Sequence, residues 1–226
     1  MSQKCKASNE NSNRIQLITS DWSGVISDDR KPVYESNMRM LEAHGKNRIS
    51  FADWLPRTTL TPIESFANQG IIGDPKALFD EYRNVYAQVK REGMLPTVYP
   101  DSKEVLKFLS GIGYPVTIIS SHPSEHLIEE ASEYGVKDHI LSFLGNVTDK
   151  TSGLLKICLS MSETPSNAIY LGDTIYDIRA AKKAGVHSVG VATGYHVRER
   201  LVNENPDFVV DSLTEFQSTI TKFLRK

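Results

Sequence analysis

Asp21 follows the short, mostly apolar run Ile15-Gln16-Leu17-Ile18-Thr19, with Ser20 between, and Asp173 follows Ala168-Ile169-Tyr170-Leu171-Gly172. Carboxylates placed at strand ends are hard oxygen ligands, and two together suit Mg²⁺. A cation there would screen a bound phosphate from the acidic residues. Asp177 lies four residues beyond Asp173, so a helix starting at this point returns it to the same face one turn later. Gly24 lets the backbone turn tightly beside a bound anion. A lone aspartate at a strand end is more often a helix cap than a catalyst. The joint occurrence is what points to a metal and phosphate site.

These residues have to be positioned by a sheet. Further short runs, Pro115-Val116-Thr117-Ile118-Ile119, Ile140-Leu141-Ser142-Phe143-Leu144 and Ser188-Val189-Gly190-Val191, read as strands buried on both faces. Helical patterns over 103–111, 124–134, 152–161 and 175–184 alternate with them. The last ends in Lys182-Lys183-Ala184-Gly185, with cations in the final turn and glycine after it. This alternation implies βαβ units and an α/β fold, a Rossmann-like parallel sheet with helices on both faces. In such a sheet ligands bind at the carboxyl ends of the strands. Asp21, Ser120-Ser121 and Gly172-Asp173 all fall there.

Almost a hundred residues separate Asp21 from Val116, more than one crossover needs. Helical patterns over 33–44, 62–68 and 76–91 fill the gap. Phe79, Tyr82, Val85, Tyr86 and Val89 are spaced as the packing stripe of the last one. Residues 31–97 are therefore expected to form an α-helical cap. The core would comprise residues 15–30 and 98–226, and the polar residues 1–14 a flexible N-terminal tail.

The chain has 226 residues, 39% hydrophobic and 24% charged, with a net charge of −2. That balance gives no reason to expect nucleic acid or a membrane surface as partner. Two cysteines, Cys5 and Cys158, are too few for a disulfide scaffold or a thiolate metal cage. With neither a signal-peptide core nor an apolar run near 20 residues, the expected address is the cytoplasm.

Taken in order, Asp21-Trp22-Ser23-Gly24-Val25, Ser120, Lys150 and Gly172-Asp173-Thr174-Ile175-Tyr176-Asp177 resemble the four motifs of the haloacid dehalogenase superfamily. The likeness runs from about residue 15 to 211 and includes a helical cap where the phosphoglycolate phosphatase-like branch has one. Ala192-Thr193-Gly194-Tyr195 and Asp207-Phe208-Val209-Val210-Asp211-Ser212 also resemble the tail of that branch. The resemblance implies Mg²⁺-dependent hydrolysis of a small phosphorylated metabolite by a monomer or homodimer. Asp21 would be the nucleophile that forms an aspartyl-phosphate. Asp21, the Ser23 carbonyl and Asp173 would hold the metal, with Asp177 supporting them from behind. Ser120 would bond a phosphoryl oxygen, with backbone donors near Ser121 and Gly24. Lys150 would neutralise the nucleophile and the developing phosphoryl charge. Arg57, early in the cap, is the best-placed cation for a second anionic group on the substrate.

One departure bears on turnover. Phosphatases of this superfamily carry a second aspartate two residues after the nucleophile, as acid and base, and here that position is Ser23. Acid–base help of that kind is typically worth about 10²–10⁴ in rate, and a serine hydroxyl does not ionise near neutral pH. Val25 likewise replaces a usual threonine. Ser23 leaves three alternatives: a slow phosphatase, a phosphonate-cleaving hydrolase, or a catalytically impaired phosphate-binding or regulatory protein. Phosphonoacetaldehyde hydrolases share the Asp-Trp-small-Gly pattern, yet they need a cap lysine, and no lysine lies between Lys46 and Lys76. His122 and His126, four apart, straddle an expected helix start with no third ligand and read as a solvent-facing terminus.

Overall fold

The computed structural model describes residues 15–59 and 61–224, so the expected N-terminal tail lies outside the described residues. The chain runs β1 Leu17–Ser20, β2 Ser27–Asp28, α1 Arg30–Ala43, α2 Phe51–Trp54, α3 Pro62–Asn68, α4 Pro75–Arg91 and β3 Thr97–Val98. It continues with α5 Ser102–Gly111, β4 Val116–Ile119, α6 Ser124–Glu133, β5 Ser142–Leu144, α7 Lys150–Ser160 and β6 Ala168–Gly172. The last elements are α8 Ile175–Ala184, β7 His187–Val191, α9 Arg198–Asn203, β8 Phe208–Val210 and α10 Leu213–Leu224.

Six strands form one parallel sheet in the order β5-β4-β1-β6-β7-β8. The chain builds outward from β1 to one side, then returns and builds outward from β6 to the other. This is the doubly wound order, and its crevice opens between β1 and β6. Ser20 pairs with both Ile118 and Leu171, so one residue further on Asp21 is level with Ile119 and Gly172. Alternation along the strands separates two cores. Ile18, Ile118, Ile169 and Leu171 face α5, α6 and α10 on one side, with Val105, Leu127 and Phe216 among them. Leu17, Ile119, Ala168 and Tyr170 face α7 and α8 on the other, against Leu154, Ile157 and Ala181.

A two-stranded antiparallel ribbon of β2 and β3 lies where the chain leaves and re-enters the sheet layer. Between these strands, α1–α4 pack around a third cluster of Met38, Met40, Leu41, Trp54, Phe66, Ile71, Leu78 and Tyr82. The expected stripe on α4 holds at Tyr82, Val85, Tyr86 and Val89 and differs at its first member. Leu78 is buried and Phe79 is 43% exposed. Proline at the first position sets the helix phase from Asp74, whose side chain caps it by accepting from Ala77 N–H. Leu78, Tyr82 and Val89 then share a face whose centre Phe79 misses by about 80°.

Candidate active site

The site is built from three carboxylates and a lysine at the β1–β6 crevice. Asp21, Asp173 and Asp177 are 6%, 1% and 1% exposed, and one oxygen from each lies within 4.8 Å of the others. Asp21 is oriented from both sides. Trp22 N–H donates to Oδ1 at 2.8 Å, and Lys150 Nζ donates to Oδ2 at 2.5 Å. The same Nζ also donates to Asp177 Oδ1. The expected helix over 152–161 begins two residues earlier, at Lys150. Lys150 is thus the first residue of α7, whose N-cap Asp149 accepts from Thr151 N–H.

Asp177 has little capacity left for a metal. Its Oδ1 takes Lys150 and the Tyr170 hydroxyl, and its Oδ2 takes the hydroxyl and N–H of Thr174. Thr174 and Asp177 cap α8 reciprocally. Those bonds occupy the roughly four acceptor sites of a carboxylate. Burial would raise Asp177, but Lys150 and these donors hold it below the usual carboxylate range.

Asp173 is enclosed by backbone. A Cβ on Gly24 would lie 2.1 Å from Asp173 Oδ2, and Gly24 also has φ +76°. Tyr195 N–H donates to the same oxygen at 2.7 Å. Burial, with the charges of Asp177 and Asp21 added, pushes Asp173 well above the usual range. Burial pushes Asp21 up to about 6, with Lys150 working against the rise. Lys150 loses by burial but gains more from Asp177 and Asp21, and stays a cation. Among the described residues, three buried carboxylates thus share one lysine. Asp21, Asp173 and Asp177 are placed so that they could hold a metal ion, and oxygen donors are what Mg²⁺ takes.

The other expected residues are placed as follows. Ser120, 1% exposed, ends the strand beside β1, and its Oγ accepts from His122 N–H at 3.2 Å. Its own hydrogen is left to donate. Ser121 is exposed. Gly24 and Ser23 lie in a tight turn in which Gly24 N–H meets Ser27 O at 2.8 Å and Ser27 N–H meets Trp22 O at 2.9 Å. Arg57 is exposed on a 3₁₀ turn and has no ion-pair partner among the described residues. His126 is exposed and His122 half-buried at the start of α6.

Two residues that the motif spacing did not single out complete the surroundings. Asp29, 2% exposed, accepts from Ser23 Oγ and from the Tyr195 hydroxyl, each at 2.8 Å. Burial raises it, and His122 and these two hydroxyls counter the rise. Tyr195 touches three things: Asp173 through its N–H, Asp29 through its hydroxyl, and Trp54 through its ring at 6.1 Å. Its neighbour His196 accepts from Ile175 N–H at Nδ1 and bonds the Thr58 backbone. Burial first, then the Arg200 charge, pushes His196 down to about 4.

The model of the family described as haloacid dehalogenase-like hydrolase matches residues 19–191. A phosphoglycolate phosphatase of Vibrio vulnificus is 29% identical over 224 residues, covering 91% of this chain and 96% of the relative. A solved haloacid dehalogenase-like hydrolase of Streptococcus pneumoniae superposes with TM-score 0.80 at 18% identity, covering 91% and 98% of the two chains. A predicted phosphoglycolate phosphatase of Haemophilus somnus gives TM-score 0.76 at 18% identity, with the same coverage. At those identities the structures speak for the fold, and the family match spans the buried carboxylates and Lys150. The chain belongs to the haloacid dehalogenase-like hydrolase family, in its phosphoglycolate phosphatase-like branch.

Proposed function

We propose that the protein hydrolyses a small phosphorylated metabolite in two steps through an aspartyl-phosphate on Asp21, with Mg²⁺ as cofactor. The observation that carries this reading is Lys150 bridging Asp21 and Asp177 beside a buried Asp173. Asp21, Asp173 and the Ser23 carbonyl would hold the metal. When bound it supplies charge to offset the phosphoryl oxygens. Asp21 attacks phosphorus, and the bond to the leaving oxygen breaks. Lys150 keeps Asp21 ionised and ready to attack. Ser120 donates its free hydrogen to a phosphoryl oxygen.

In this proposal α1–α4 act as the cap that covers the site and selects the rest of the substrate. Trp54 Nε1 and Tyr86 OH are buried and have no hydrogen-bond partner among the described residues. Trp54 adjoins Tyr195, and the Tyr86 hydroxyl feels the charge of Asp29. Both can donate to acceptors on the leaving group. Arg57 has the weaker claim, being exposed.

The test is turnover of an aryl phosphate with Mg²⁺ by wild type and Asp21→Asn. Activity in wild type alone supports the reading. Activity that survives Asp21→Asn overturns it, and an inert wild type favours a catalytically impaired phosphate-binding protein.

A further inference from the structure

We infer that Asp29 is a positioning residue for hydrolysis of the aspartyl-phosphate, holding the Ser23 hydroxyl as an acceptor for the attacking water. This rests on the phosphatase reading above. Asp29 occupies the N-cap of α1, where aspartate normally accepts from the first helical N–H groups. Its side chain makes no such bond. Both oxygens turn instead to side chains outside the helix, one six residues earlier and one far along the chain. Oδ2 accepts from Ser23 Oγ and Oδ1 from the Tyr195 hydroxyl, 166 residues away. A buried carboxylate that forgoes its local cap for two hydroxyls is held there by tertiary structure.

The consequence falls on Ser23. A serine hydroxyl has one hydrogen and two lone pairs. With the hydrogen given to Asp29, Ser23 Oγ offers only lone pairs to a group bound beside it. The turn around it is fixed by the Gly24–Ser27 and Trp22–Ser27 backbone bonds, so the acceptor has a defined place. Ser23 stands two residues after Asp21 and is half-buried, leaving one side open to water.

In the second step the water oxygen bonds to phosphorus while the bond from phosphorus to the Asp21 carboxylate oxygen breaks. The electron pair of the broken bond returns to Asp21. Both water hydrogens leave on the product as dihydrogen phosphate, and neither Ser23 nor Asp29 changes protonation. Ser23 Oγ takes a hydrogen bond from one water O–H and so aims the water's lone pair at phosphorus. Orientation of this kind is worth up to about 10²-fold when lost.

The experiment is quench-flow with an aryl phosphate and Mg²⁺ on wild type, Ser23→Ala, Asp29→Ala, the double variant and Ser23→Thr. Intact mass after acid quench reads the fraction of enzyme phosphorylated on Asp21. Each single variant should lose roughly 10- to 100-fold in kcat, with KM falling in parallel. The double variant should be no worse than either single one. The phosphorylated fraction should rise, and the burst of aryl alcohol should approach one per site. Ser23→Thr, which keeps the hydroxyl, should recover most of the rate. If Asp29→Ala does not fold, Tyr195→Phe removes the second bond to Asp29 and should show the same accumulation with a smaller loss. Additive losses, or a fall in kcat without accumulation, overturn the inference, as does an unchanged Asp29→Ala. In all those cases wild-type phosphorylation of Asp21 leaves the phosphatase reading standing. An inert, unlabelled wild type overturns both.

Discussion

Gly194 and Asp173 approach so closely that a Cβ on the glycine would sit 2.0 Å from Asp173 Oδ2. The methyl of Gly194→Ala must push that carboxylate aside, and overpacking of this kind costs about 1–3 kcal/mol. Melting curves with and without Mg²⁺ separate general damage from loss of the ion. An ion at 100 times its Kd stabilises by about 2.7 kcal/mol, and the variant should lose most of that shift. A Mg²⁺-dependent shift equal to wild type counts against Asp173 as a ligand.

Lys150→Met should remove activity by roughly 10²–10³-fold, the scale seen when one preorganised electrostatic donor is lost. It also strands Asp21 and Asp177, which share the lysine. Breaking a buried pair costs about 3–5 kcal/mol. Adding Asp177→Asn should return part of the stability and none of the activity. Urea unfolding and steady-state rates on the three proteins check both halves.

His196 should make stability depend on pH. Its folded pKa, about 4, lies below the ordinary 6.5 because burial and Arg200 disfavour the charged ring. Between those values the unfolded chain binds a proton that the folded one does not. Stability therefore rises with pH there. The contribution is complete above about 6.5 and lost as pH falls toward 4, by up to tenfold in the folding constant per pH unit. His196→Gln should flatten the urea midpoint across this window relative to wild type. Curves of equal slope would show that the ring is not held neutral.

Restoring the usual aspartate is predicted to fail by itself. Ser23→Asp puts a second carboxylate against Asp29 Oδ2, where the Ser23 hydroxyl now sits at 2.8 Å. A like charge set against the buried Asp29 should lower the melting temperature, by about 2–4 °C for each kcal/mol in a chain of this size. Ser23→Asp with Asp29→Ser should melt near wild type. Differential scanning calorimetry on both decides; a stable single variant would mean that Asp29 does not crowd position 23.

Asp21 and Asp173 were legible because doubly wound sheets place ligands at strand ends, and each follows a short apolar run. Their shared level follows from the pairing of Ser20 with Leu171, which no local pattern encodes. The start of α7 at Lys150, two residues before the expected 152, was not legible. Its neighbour Asp149 reads as a cap only once the helix is known to begin at 150. Tyr195 was named only within the tail of the resemblance, and its contact with Asp29 was not legible because it joins positions 166 apart; Asp29 itself escaped notice because an aspartate before a helix reads first as its cap. The two-residue strands β2 and β3 are too short for alternation to register.

Tyr195 grips Asp173, Asp29 and Trp54 at once. Helices α1–α4 therefore cannot swing from the sheet without either peeling Trp54 off that ring or dragging the tyrosine with them. In the second case Asp173 would lose the N–H that it accepts from Tyr195. On the cap and metal roles proposed for these residues, opening of the entrance and the hold on the ion would be geared to one another through this one tyrosine.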